Sequence, residues 1–375
     1  MKHIGLLLHF YQPPTQDPKI VMKINRECYL PLFEMLQRSE YEITININYS
    51  LTEQLERLSP DTLRAASRLA GCSFTGSGAY HPILPLIPDD EVIRQLELND
   101  CLNSRALGEV YRPSGVFPPE MAVNEHTVRT IGSKGYRWTI TDDVPWVFSG
   151  REAPFNWIPA VDGTAVFLRS NFWSNRISFH GNDGSAMADR IYEDLKEWTG
   201  DDDSYVILAM DGETYGHHRT GAIEFFLFPF LERITELEGI RLSSLDRICS
   251  SFPLRESDIP EGSWSTTFPD LEAGEPFPLW SHSANQDHRA YLKLLRFVME
   301  NSSFKHSEGV ADEGDKMLYS CPLWWASSGR ESYSQVRRGI LMIIKAALEG
   351  LPAGELLDRM MELAGKIPAM ARRDR

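Results

Sequence analysis

Short apolar runs alternate along the chain with longer amphipathic stretches. Residues 4–8, Ile-Gly-Leu-Leu-Leu, are almost continuously apolar, the pattern of a strand covered on both faces of a parallel sheet. In 41–47, Ile43, Ile45 and Ile47 alternate with Glu42, Thr44 and Asn46, which predicts a second strand because successive strand side chains point to opposite faces. Residues 72–75, 115–117, 137–141 and 205–210 read as further short strands. Helical periodicity over 20–37, 52–58, 60–69, 90–107, 123–131 and 185–198 fills the intervals. This alternation predicts an α/β barrel over residues 1–275. Beyond it the strong patterns are all helical (286–300, 333–349 and 354–364), predicting a C-terminal helical region, 276–375, packed on the barrel. The stretch 144–177, with Trp146, Trp157, Phe167, Phe172 and Trp173, reads as an aromatic-rich excursion whose rings either fill core or stack on sugars.

Composition narrows the function classes. Lys and Arg number 38 against 53 Asp and Glu, a formal net charge of −15, which argues against a nucleic-acid binder because phosphate neutralisation needs a basic face. The early apolar stretch 4–10 is far shorter than the roughly 20 residues of a membrane span, so a soluble, unprocessed, cytoplasmic chain is expected, with no membrane partner. Five cysteines, widely spaced and without a C-x-x-C pair, suit free thiols in a reducing compartment and give no structural zinc cluster. Neither a metal nor another cofactor is expected. Gly76-Ser77-Gly78 begins like a dinucleotide turn, but His81 and Pro82 follow where a helix should start. P-loop, serine-hydrolase and zincin motifs are also missing from the sequence.

Three polar clusters directly follow predicted strands, which in a barrel puts them at the rim where active sites assemble. They are His9-Phe10-Tyr11-Gln12-Pro13, Pro118-Pro119-Glu120, and Asp211-Gly212-Glu213-Thr214-Tyr215-Gly216-His217-His218. Each has an ordinary explanation: Asp-Gly is a common turn, Glu120 suits the first turn of a helix, a lone His9 suits a core, and adjacent His217 and His218 point apart. Together they set two carboxylates from different strands among His, Tyr and Gln, the constellation that glycosidic-bond cleavage requires.

The same residues carry a resemblance to the family 57 glycoside hydrolases, retaining enzymes that act mainly on α-glucans. His9-Phe10-Tyr11-Gln12-Pro13 is similar to the family's H-x-H-Q-P, with Tyr11 in place of the second histidine. Residues 78–86, Gly-Ala-Tyr-His-Pro-Ile-Leu-Pro-Leu, resemble its H-P-I-L-P-L stretch. Phe117-Pro118-Pro119-Glu120 resembles the block bearing the nucleophile, and Leu208-Ala209-Met210-Asp211-Gly212-Glu213 the block bearing the acid/base. Residues 169–177 resemble an arginine-bearing segment, and Ser320 to Ser327 loosely resembles the last block. The resemblance implies an incomplete (β/α)7 barrel followed by a helical domain, with Glu120 as nucleophile and Asp211 as general acid and then base. The substrate would be an oligo- or polysaccharide contacted by His9, Tyr11, Gln12, His81, Arg176, Glu213, Trp324 and Trp325. Glu120 must then be ionised and needs a positive or donating neighbour, while Asp211 must hold a proton, with Glu213 as a like charge to raise it. Tyr11 favours an alternative, a glycan-binding or regulatory protein with a decayed site. A metal-dependent sugar deacetylase using His9, His81 and Asp211 is a third reading.

Overall fold

The computed structural model describes residues 1–38, 41–304, 309–372 and 374. Among these, ten strands form one sheet: β1 (Lys2–Phe10), β2 (Thr44–Ile47), β3 (Ser73–Phe74), β4 (Gly115–Val116), β5 (Trp138–Asp142), β6 (Ile158–Val161), β7 (Thr164–Arg169), β8 (Ser204–Asp211), β9 (Ile240–Leu242) and β10 (Leu254–Glu256). Seven run parallel in the spatial order β3-β2-β1-β8-β7-β5-β4. The end strands β3 and β4 approach only through a bridge between Gly76 and Val116, where the Gly76 N–H donates to Gly115 O and the Phe117 N–H to Gly76 O, each at 2.9 Å. β7 and β8 pair at a single position, Arg169 with Ile207. The sheet therefore curls round with two weak seams, an incomplete (β/α)7 barrel. β9 pairs with the N-terminal end of β1, while β6 pairs antiparallel with β7 and carries β10 on its other edge.

The strands expected from apolar runs are present because those runs are covered on both faces; every residue of β1 is buried. The stretch 144–177 is more than an excursion. It contains β6 and β7, and the fully buried Thr-Ala-Val-Phe-Leu-Arg of β7 is one of the parallel barrel strands. Its aromatics divide accordingly: Phe167 and Trp173 are core, while Phe172 is exposed.

The helical pattern over 20–37 is realised as α-helix Pro18–Ile24, a π turn at Asn25–Tyr29 and α-helix Leu30–Gln37. Pro31 causes the interruption, since it lacks an N–H and its ring would strike the carbonyl of Glu27, four residues back. The same solution recurs in the π turn Ile223–Leu227, just ahead of Pro229.

The C-terminal helices Gln286–Asn301, Tyr333–Gly350 and Glu355–Gly365 enclose a second apolar core that includes Tyr291, Leu294, Val298, Ile340, Ile343 and Met360. Ile83 and Ala122 join it from loops at the C-terminal ends of the strands, so this region sits over the barrel's rim. All five cysteines are free thiols, and among the described residues no helix is long and apolar enough to cross a membrane.

Candidate active site

Strand register assembles the floor of the site. His9 lies beside Asp211 of β8 on one side and Asn46 of β2 on the other. Paired residues of parallel strands face the same way, so these three polar groups form a row at the strands' C-terminal ends. His9 Nδ1–H donates to Asn46 Oδ1 at 2.6 Å, and Asn46 Nδ2 donates to Thr75 Oγ1 at 2.8 Å. That chain fixes the tautomer and leaves His9 Nε2 as an acceptor. A second row pairs Asp142 of β5 with Arg169 of β7. The Arg169 guanidinium, buried in the seam between β7 and β8, donates to Asp142 at 2.6 Å, Ala209 O at 2.7 Å and Asn175 at 2.8 Å.

Glu120 arrives from the turn after β4 in an unfavourable conformation, φ 60° and ψ 16°. Four non-glycine residues have positive φ among those described, and three of them, His81, Glu120 and Met121, belong to this site. An L-residue in that region costs about 1–2 kcal/mol, strain of the kind that collects where a side chain must be aimed. The aim is fixed by Trp264, whose N–H donates to Glu120 O at 3.1 Å and whose indole Nε1–H donates to the carboxylate at 2.8 Å. His81 Nδ1 is 3.9 Å from the other carboxylate oxygen. Its ring lies flat against Tyr11, centroids 3.8 Å apart, and stacks on His9 at 5.3 Å. His81 Nδ1 contacts Ser320 Oγ at 3.0 Å, whereas Nε2 is buried without a hydrogen-bond partner. A buried polar atom left in this way is costly unless something fills the place.

The carboxyls sit in a strongly perturbing field. Burial pushes Glu120 up to about 7; the Trp264 donor pulls it down and the Asp211 charge adds to the rise. Its side chain is 20% exposed, so it opens onto a cleft. Burial also raises Asp211, against the pull of His9 and Arg169. Glu213 is pushed up to about 8, by burial first and by Asp211 second, while hydrogen bonds from the Tyr29 hydroxyl at 2.5 Å and from Gln12 Nε2 at 3.4 Å hold it down. Asp211 and Glu213 thus form a coupled pair beside Glu120.

Of the residues singled out from sequence, His9, Tyr11, Gln12, His81, Glu120, Asp211 and Glu213 converge here. The Tyr11 hydroxyl also reaches Cys321 Sγ at 3.4 Å. Trp324 and Trp325 make a half-buried edge-to-face pair at 4.6 Å within the C-terminal core. Arg176 lies on the exposed side of helix Asn171–His180, its guanidinium 6.0 Å from the Phe172 ring; the arginine that reaches the carboxyls is Arg169. His217 stands apart at 2.6 Å from Glu27. Sequence reading missed Asn46, Asp142, Arg169, Tyr29 and Trp264. Among the described residues no group of three or more His, Cys, Asp or Glu side chains is arranged to hold a metal ion, and His9 and His81 are committed through Nδ1 to Asn46 and Ser320.

Comparison with known proteins identifies the family. Glycosyl hydrolase family 57 matches residues 9–259. An α-amylase of Pyrococcus horikoshii is 26% identical over 259 residues, covering 65% of this chain and 40% of the relative. A 4-alpha-glucanotransferase of Thermococcus litoralis is 26% identical over 265 residues, covering 66% of this chain and 38% of the relative. The chain thus spans about 40% of the length of these two curated relatives. Among solved structures, the T. litoralis 4-alpha-glucanotransferase superimposes with a TM-score of 0.75 at 19% identity, covering 94% of this chain and 60% of that one. A branching enzyme of the same family from Thermococcus kodakaraensis gives 0.70 at 14% identity, covering 98% and 96%; at such identities the likeness speaks for the fold. With most of its length matched by the family, the chain belongs to glycosyl hydrolase family 57.

Proposed function

We propose that this protein is a retaining glycoside hydrolase or transglycosylase acting on α-glucans, with Glu120 as nucleophile and Asp211 as general acid and then base. The observation that carries the reading is the pair itself: two desolvated carboxyls, delivered by different strands, in electrostatic contact, one aimed by Trp264 and the other flanked by His9 and Arg169. In the first step Glu120 forms a bond to the anomeric carbon as Asp211 gives its proton to the departing glycosidic oxygen. In the second, Asp211 takes a proton from water or a sugar hydroxyl, which attacks the same carbon and releases Glu120. His81 Nε2 is free for a hydroxyl of the reacting sugar, which would satisfy this buried nitrogen, and His9 Nε2, left as an acceptor by the Asn46 bond, is a second contact for the sugar. The amylase and glucanotransferase names of the relatives support the substrate class. Five free thiols fit a cytoplasmic location.

The test is the configuration of the first-formed product from a maltooligosaccharide, read by NMR, with Glu120→Gln and Asp211→Asn as controls. Retention is expected, with turnover lowered by roughly four or more orders of magnitude in each variant. An inverted first product, or wild-type turnover in Glu120→Gln, contradicts the reading. Tyr11 stacked flat on His81 favours the second reading, a glycan-binding protein with a decayed site; binding of maltooligosaccharide by wild type without any turnover would establish it instead.

A further inference from the structure

Three exposed aromatic rings on segments adjoining the site are not used by the chemistry above. Phe148, Phe268 and Phe172 are 38%, 45% and 58% exposed. Singly, exposed apolar residues are ordinary, but each of these stands on a segment that also carries or contacts a residue of the site. Phe148 ends the helix Asp143–Phe148, which begins beside Asp142, the partner of Arg169; six helical residues span about 9 Å. Phe268 follows Trp264 by four residues, and the Trp264 indole holds Glu120. The Phe148 and Phe268 rings meet edge to face, centroids 5.6 Å apart at 78°. Phe172 follows Asn171, whose backbone N–H donates to Asp143 at 3.2 Å and whose amide donates to Asp142 at 3.1 Å. Arg176, one turn along the same helix, sits over the Phe172 ring.

These are amphipathic platforms. A phenyl face attracts the apolar C–H face of a glucose ring, while a neighbouring guanidinium donates to the hydroxyl rim. An α-glucan presents that pair of surfaces at every unit. We propose that Phe148 with Phe268, and Phe172 with Arg176, are sugar-stacking subsites that hold glucose units of an α-glucan chain beyond the unit that reacts. The inference rests on the α-glucan reading of the site, and it makes the protein selective for long chains.

Two comparisons test it. The ratio of kcat/KM on a long maltooligosaccharide to that on a single-sugar aryl α-glucoside is measured for wild type, F148A/F268A and F172A. Loss of a stacked ring should lower the ratio about tenfold, the size of effect that ring contacts give, and Phe172→Trp should keep or raise it. Electrophoretic retardation of the Glu120→Gln protein by glycogen in the gel should weaken when the phenylalanines are removed. An unchanged ratio with unchanged retardation overturns the proposal, and so does a loss shared equally by both substrates, which would mean that the rings only support the site. If wild type cleaves α-glucans and the variants match it, the subsites alone are wrong. If wild type neither cleaves nor is retarded by any α-glucan, the proposed function falls with them.

Discussion

In the proposed first step Glu120 and Asp211 hold opposite protonation states, yet burial pushes both upward. The neighbours separate them. Trp264 donates only to Glu120 and so favours its ionised form, whereas Asp211 shares its surroundings with a second carboxyl, Glu213, that opposes its ionisation. On this account kcat/KM falls below about 7, where Glu120 takes up a proton. It falls again at higher pH, where Asp211, raised by burial, gives up its proton beside the like charge of Glu213. Glu213→Gln removes a negative charge beside Asp211, so Asp211 loses its proton at lower pH and the alkaline limb moves down while the acid limb stays. Trp264→Phe withdraws a donor from ionised Glu120, so the acid limb moves up. A pH profile of kcat/KM on an activated α-glycoside reads both shifts; an alkaline limb unmoved or raised in Glu213→Gln would show that the two carboxyls do not act as a pair.

The elements that hold these side chains pack with little slack. Gly212, between the two carboxyls, passes so close to Phe10 that an added Cβ would lie 2.0 Å from its ring, and Gly216, at φ 117°, would place one 1.9 Å from Glu27 O. The loop after β8 is thus wedged between β1 and the π turn that Pro31 imposes, which also presents Tyr29 to Glu213. Gly212→Ala should displace both carboxyls and cost about 100-fold in kcat, the scale of a misplacement near 1 Å, with the far-ultraviolet dichroism unchanged. Gly365→Ala, which meets nothing, should leave kcat untouched; equal activity in the two variants would mean that the loop is not so constrained. Some of this was legible in the sequence. Polar residues at the ends of apolar runs gave His9, Glu120 and Asp211, and the same rule extended one residue past the expected strand 137–141 reaches Asp142. Within the arginine-bearing segment 169–177 the sequence pointed to Arg176 instead of Arg169, because the strand that ends at Arg169 was absorbed into an aromatic-rich stretch, although its four central residues are apolar. The π turns break a 3.6-residue period, and only Pro31 and Pro229 mark them. Trp264 left no local signal, since its partner Glu120 lies 144 residues away.

At the scale of the molecule, the barrel supplies Glu120 and Asp211 and the C-terminal helical region closes over them. His81 is held from above by Ser320, whose N–H donates to His81 O at 3.2 Å, and Tyr11 by Cys321. The strand–helix alternation and the helical C-terminal third were readable as periodicity. The contact between them was not, because it joins residues more than 200 positions apart whose partners are set only by the finished fold. Every part of this arrangement serves one claim: Glu120 attacks and Asp211 exchanges the proton. The most direct measurement is peptide mass spectrometry of Asp211→Ala after exposure to an α-glycoside with an activated leaving group. Such a leaving group needs little protonation, so the glycosyl-enzyme should form and then persist for want of a base. A sugar attached to Glu120 is the predicted result; a sugar on any other residue would contradict it.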